Sequence, residues 1–307
     1  MNYKKVIVTG ASGFLGSHLV KSLKNDGRYQ VFALSSRPEE LRTQIGEING
    51  EFLYKDVFEG QAATMLEDAI VVNCAYPRNS TGVAVADGLR YNQRVFQAAV
   101  DNGTAAIINI SSQSVYSQQR IEMATESTPV CLEGPYAVGK YTVELMLESI
   151  CRGSSTFYTS LRMASLIGPG FDQRIVNRFV SKMLRHESIT LVRQEKRLGF
   201  LDVEDAVSAI LALLQSPPEF WKPVYAVGNG RGYTVTEIYE VVAEVLRGQV
   251  EMAEPVIEVG SEVSTTAVSF ERLHADTDFR PEVSLRESVV RIFAQAMRQR
   301  EAAGSIP

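Results

Sequence analysis

The chain is poor in cysteine, histidine and tryptophan, with three, three and one among 307 residues. Cys74, Cys131 and Cys151 are odd in number, lie far apart, and show none of the close spacings of zinc or redox motifs, so no metal centre is expected and a reducing compartment fits. Positive charge is also in short supply: 31 Lys and Arg against 36 Asp and Glu leave a net charge of −5, which offers no overall basic footprint for nucleic acid. Small anionic ligands must then be held by local sites. No apolar run approaches the roughly 18 residues that suggest a membrane span, and the sequence enters a strand pattern at once. These absences predict a cytoplasmic protein with neither a nucleic-acid nor a membrane partner.

What is present is alternation. Strand-length apolar segments at 5–9, 31–34, 51–54, 70–75, 105–111 and 157–162 are separated by helical stretches, among them 14–24, 88–102 and 135–150. Several of the strands are apolar on both faces, which predicts an α/β fold: a Rossmann-like doubly wound parallel sheet covered by helices. After "IGPG" at 167–170 the rhythm changes, with helical patterns to 185 and over 203–215, 236–246 and 285–299 and a short strand at 189–192. We expect a cofactor-binding domain over 1–168, rejoined by part of 196–228, and a smaller mixed α/β substrate cap over 169–307.

The first strand runs into "VTGASGFLGSH", with Gly10, Gly13 and Gly16 ahead of a helix. In such a turn the first glycine permits a tight bend, the second a close approach to a pyrophosphate, and the third close helix packing. The helix N-terminus and backbone N–H groups attract the phosphates. The context of strand, glycines and amphipathic helix predicts dinucleotide binding, whereas His18 reads as an ordinary helix residue. Where an acid would meet the ribose hydroxyls of NAD, the sequence has Ser35, Ser36 and Arg37. Hydroxyls and a guanidinium suit a 2′-phosphate, so NADP(H) is expected, with NAD(H) as the alternative. Asp56, ending the third strand, could accept from an adenine amino group or simply cap a turn.

Two more segments carry chemistry. "INISSQSVY", 108–116, is a strand that ends in serines at the edge facing the ligand crevice. "GPYAVGK" places Tyr136 and Lys140 four apart on one helix face behind Pro135, so an ammonium can favour the ionised phenol and make it a proton donor and acceptor near neutral pH.

With these motifs the sequence resembles the extended branch of the short-chain dehydrogenase/reductase superfamily, the NAD(P)-dependent epimerase/dehydratase family of nucleotide-sugar enzymes. The likeness rests on "TGASGFLG", "KDV", "NCA", "YNQRVFQAA", "ISSQSVY", "PYAVGK", "LRMASLIGPG" and "FLDVEDAVSAI". It implies that Ser112 orients the substrate, that Tyr136 is the acid and base, and that Lys140 binds the nicotinamide ribose. Gly10, Ser12, Gly13, Phe14, Leu15, Gly16, Ser36, Arg37, Asp56, Val57, Ala75 and Asn92 become the remaining cofactor-side positions. The resemblance also implies a homodimer, joined through the helices at 88–102 and 136–150.

Departures from the family pattern narrow the reaction. Its 4,6-dehydratases carry Asp-Glu directly after the active-site Ser or Thr, but this chain has Gln113 and Ser114, neither of which titrates usefully. Enzymes that epimerise at C3 and C5 have a cysteine where Ser114 stands. Hydride transfer with a single proton exchange remains, and the expected activity is NADPH-dependent reduction of a nucleoside-diphosphate keto-sugar. An NAD-dependent 4-epimerase is the main alternative, ahead of a non-sugar carbonyl reductase or a non-catalytic NADP(H)-responsive protein. For the substrate, Ser165 replaces a family asparagine, Arg174 and Arg197 are the candidates for the diphosphate, and Tyr76 and Arg78 for the pocket wall.

Overall fold

The computed structural model describes residues 4–59, 63–77 and 81–304. Seven strands form one sheet: β1 (Lys4–Thr9), β2 (Tyr29–Ser35), β3 (Gly50–Tyr54), β4 (Ile70–Asn73), β5 (Ala106–Ser112), β6 (Phe157–Met163) and β9 (Val224–Val227). All pairings are parallel and the order is β3-β2-β1-β4-β5-β6-β9. The winding reverses between β1 and β4, and in an open α/β sheet ligands bind in the crevice beyond the strand ends at that point.

The strands are apolar on both faces because both are covered. Val6 and Val8 join a core with α1 (Phe14–Asp26), α2 (Pro38–Ile45) and α7 (Val203–Gln215), while Ile7 between them joins another with α3 (Ala63–Leu66), α4 (Gly82–Asp101) and α5 (Pro135–Cys151). This is the period-2 alternation of a strand read on two buried faces. Val95, Val143 and Leu147 of α4 and α5 are fully buried in the second of these cores, so they face the sheet.

A third core gathers α6 (Ile175–Leu184), α8 (Val235–Leu246) and α10 (Leu285–Gly304) against a smaller sheet. That sheet holds β7 (Ser165–Ile167), β8 (Thr190–Asp202), β10 (Gly232–Tyr233) and β11 (Val256–Thr265), and α9 (Glu271–Thr277) lies beside β9. The segment from Val268 to Phe279 returns to the core of the main sheet through Val268, Leu273 and Phe279. Asp202 caps α7 by accepting from the Glu204 N–H, and it also accepts from Ser288 and pairs with Arg291, which ties α10 to the β8–α7 turn. Among the described residues no helix is long and apolar enough to cross a membrane.

The expected strands and helices recur with small changes of boundary, and three regions differ more. Helix α4 begins six residues before its expected start, with Thr81 accepting from the Ala84 N–H as its cap. The short strand expected at 189–192 is the start of the 13-residue β8, whose polar run from Arg193 to Arg197 lies along an alternately exposed strand. Strand β11, its parallel partner, was not expected at all.

Candidate active site

The glycine turn is built for an anion. Gly10 adopts φ +63°, and a Cβ there would press on the backbone of Cys74 and Ala75 at 2.9 Å. A Cβ on Gly16 would collide with the Gly10 carbonyl, so the third glycine is what lets α1 approach the turn. Gly13 caps α1 with no side-chain acceptor, and no acid stands in the first turn. The first amides are therefore left for a ligand, at the end of the helix that favours negative charge.

Two cavities open from this turn. One of about 500 Å³ is lined by Gly10, Ser12, Ser36 and Ala75, together with Leu34, Ser35, Lys55 and Tyr91. The other, of about 580 Å³, is lined by Gly10, Gly13, Phe14, Leu15, Gly16, Ser112, Tyr136 and Lys140. Gly10 and Tyr76 border both. A dinucleotide can lie across them with its phosphates over the glycines, and the uncapped turn fits that group.

Some predicted cofactor positions stand back from these cavities. Arg37 does not line the first; its guanidinium pairs with Glu40 at 2.8 Å, with both side chains largely in solvent. Asp56 is exposed and Val57 is half-buried against the α4–α5 core, neither lining either of these two cavities. Asn92 is fully buried; it donates to the carbonyls of Ala75 and Gly88 and accepts from Asn73, which also accepts from Thr9 and donates to Asn109. This chain of polar side chains ties the ends of β1 and β4 to the middle of β5. Lys55 and Tyr91 were missed as cavity residues, although the "YKD" and "RYNQ" segments carried their neighbours.

Around the second cavity the predicted trio comes together. Ser112 ends β5 and accepts from the Ser114 N–H at 3.1 Å. Pro135 opens α5, which carries Tyr136 half-buried at the cavity and Lys140 buried one turn on. Lys140 donates to the Ile110 carbonyl at 2.7 Å, and its Nζ lies 5.9 Å from the Tyr136 ring centroid. Burial pushes the ammonium down to about 8, against smaller opposing effects of Cys74 and Glu144. Burial likewise pushes the Cys74 thiol up to about 12, so it stays protonated.

One turn beyond Lys140, Glu144 holds Arg162 through three contacts of 2.7 to 3.1 Å and accepts from Ser111. Arg162 also donates to the Tyr116 hydroxyl at 3.3 Å. Both members of the ion pair are buried, and together they lock α5 to β5 and β6 behind the serines.

On the substrate side, Ser165 and Arg174 line the cavity, with the Arg174 guanidinium 5.1 Å from the centre of the Phe171 ring and Phe171 stacked on Phe14. Arg197 is elsewhere: it lies off the cavity lining and faces Glu237 and Glu195 at 3.4 and 3.5 Å. Tyr76 borders the cavity, and Arg78 lies outside the described residues. No Asp, Glu or His is among the described lining residues, and no cluster of metal-binding side chains occurs among the described residues.

The family model for the NAD dependent epimerase/dehydratase family matches residues 6–228. A UDP-glucose epimerase of Bacillus subtilis, itself uncharacterized, is 24% identical over 260 residues, covering 78% of this chain and 82% of its own. UDP-glucuronic acid decarboxylase 6 of Arabidopsis thaliana is 24% identical over 274 residues, 81% of this chain and 76% of its own. Among solved structures, the UDP-glucuronic acid 4-epimerase of Bacillus cereus, in complex with UDP-glucuronic acid and NAD, superposes with a TM-score of 0.82 at 19% identity over 96% of this chain and 99% of that one. The UDP-glucose 4-epimerase of Thermotoga maritima, with UDP-glucose, gives 0.80 at 22% identity over the same shares. With its parallel sheet, its glycine turn and a family match over well more than half its length, this chain belongs to the NAD dependent epimerase/dehydratase family.

Proposed function

We propose that this protein is an NAD-dependent 4-epimerase of a UDP-hexose, with Ser112, Tyr136 and Lys140 as its working groups. One observation carries the reading: the cavity lining offers two tyrosines, Tyr76 and Tyr136, and a lysine but no carboxylate or imidazole among the described residues. Elimination of water needs a second acid and base, which Gln113 and Ser114 do not supply. Oxidation and re-reduction at one carbon need only hydride exchange and a single proton carrier.

The glycine turn, Ser12, Ser36 and Ala75 would hold the dinucleotide, which when bound supplies the hydride acceptor and donor. Tyr136, favoured as phenolate by the neighbouring ammonium, takes the proton of the C4 hydroxyl and returns it once the ketone has presented its other face. Ser112 hydrogen-bonds the same oxygen, and Lys140 holds the ribose and the phenolate in register. Arg174, at the start of α6, is the candidate for the diphosphate, where its planar guanidinium suits phosphate oxygens.

The epimerase, the sequence's alternative to a keto-sugar reductase, is favoured by the relatives, whose names include a UDP-glucose 4-epimerase and a UDP-glucuronic acid 4-epimerase in complex with NAD. NAD(H) fits better than NADP(H) because Arg37 faces Glu40. Denaturing the purified protein and analysing what it releases tests this. About one NAD per chain supports an epimerase that recycles its cofactor, while an empty protein that binds only added NADPH returns the assignment to a reductase.

A further inference from the structure

The segment following β4 reaches across the cleft and is seated in two helix notches. Pro77 fills the space a side chain would take at Gly88 of α4, and Tyr76 does the same at Gly139 of α5, where a Cβ would overlap its hydroxyl. From that seat the Tyr76 ring lies 4.6 Å from the Lys140 Nζ and meets the Tyr136 ring edge-on, with centroids 5.7 Å apart. Its hydroxyl is buried with no hydrogen-bond partner among the described residues, so the position is held by shape and by the ring. This same ring is part of the wall shared by the two cavities.

We propose that Tyr76 is a positioning residue for Lys140: keyed into the Gly139 notch, its ring covers the ammonium and holds it between the ring and the Ile110 carbonyl. A ring face attracts a desolvated cation, and the cover withholds water from it. The groups facing Lys140 are Cys74 from the end of β4, Glu144 from its own helix, the carbonyl of Ile110 on β5, and the rings of Tyr76 and Tyr136. Of these influences burial is the largest, so displacing the ring raises the lysine's pKa through rehydration more than the lost cation–ring attraction lowers it.

This role deepens the reading of Lys140 as the ribose-binding lysine, and its test uses protein stripped of dinucleotide. Trinitrobenzenesulfonate labelling of Lys140 is followed by peptide mass spectrometry as pH is varied, giving a plateau rate and a midpoint. In the parent protein the midpoint is about 8. Tyr76→Ala and Gly139→Ala both raise the plateau about tenfold and move the midpoint upward, whereas Tyr76→Phe, which keeps the ring, changes neither. Gly139→Ala adds a good helix former and moves the ring without deleting it. Adding Tyr76→Phe to Gly139→Ala removes the overlapping oxygen, leaving only the ring Cζ at 2.9 Å, and brings both values part of the way back towards the parent. Unchanged midpoints in Tyr76→Ala and Gly139→Ala overturn the proposal, as does a Gly139→Ala effect that Tyr76→Phe does not relieve. Neither result bears on epimerisation, and a protein without epimerase activity still yields the labelling answer.

Discussion

Glu144 and Arg162 form a buried ion pair in which the carboxylate, 2.7 Å from the guanidinium, also receives the Ser111 hydroxyl. Removing one partner strands the other charge in a site that water does not reach. Glu144→Ala is therefore expected to cost roughly 3–5 kcal/mol in denaturant unfolding. A loss below about 1 kcal/mol would mean that the pair is solvated and does not lock α5 to the strands.

Tyr136→Phe removes the hydroxyl proposed as proton carrier and leaves the ring. Turnover should fall by about 10²- to 10⁴-fold while NAD affinity stays within a few-fold of the parent. Equilibrium dinucleotide binding beside steady-state rates separates these; full activity in the variant would remove Tyr136 from the mechanism.

Lys140 links activity to stability in opposite directions. Below pH 8 it is charged in both the folded and the unfolded chain, and the folded state bears the burial cost. Between about 8 and 10.5 the folded protein releases its proton first, the unfolded chain binds more protons, and stability rises with pH. The shift from 10.5 to about 8 corresponds to about 3 kcal/mol. The stability of Lys140→Met relative to the parent should accordingly fall by about that amount as pH rises through this window. Activity of the parent should decline on the alkaline side with a midpoint near 8 as the ammonium is lost.

Arg37 and Arg174 should behave oppositely on substitution by Ala. Arg37 is already paired with Glu40 in solvent, so its loss should leave NAD affinity within about threefold. Arg174 lines the cavity, and its loss should raise the KM for a UDP-hexose by about tenfold or more. Isothermal titration and initial rates read both; a parent that binds NADPH more tightly than NAD, with that preference lost in Arg37→Ala, would bring back the 2′-phosphate reading.

The expected homodimer has a defined test too. Val95, Val143 and Leu147 are committed to the sheet, which leaves exposed Val83 on α4 and Val138 and Leu145 on α5 as the apolar contact candidates. Light scattering should find a dimer that Val138→Glu with Leu145→Glu converts to monomer; a monomeric parent contradicts this.

The main sheet was legible because its strands are apolar on two faces and its helices carry strong end signals, such as Pro135 on α5 and the capping residue Asp202 on α7. Ser112, Tyr136 and Lys140 could be placed together because the ends of parallel strands and the helices after them share one rim. The cap was harder to read. β8 and β11 are partly exposed, so their charged residues mask a strand pattern. Arg197 is a diphosphate candidate by its place in the sequence, yet in β8 its partners are Glu195 and Glu237, an outcome that strand direction decides and spacing does not. The fit of Tyr76 against Gly139 joins residues 63 positions apart, and no local pattern announces it.

The central claim is that hydride leaves C4 and returns to it within one bound complex. A UDP-hexose deuterated at C4, incubated with the purified protein and no added cofactor, tests this most directly by NMR and mass spectrometry. The account predicts the C4 epimer with its deuterium retained and no build-up of free reduced dinucleotide. Deuterium lost to free NADH or NADPH, with a keto-sugar or its alcohol as product, would contradict it.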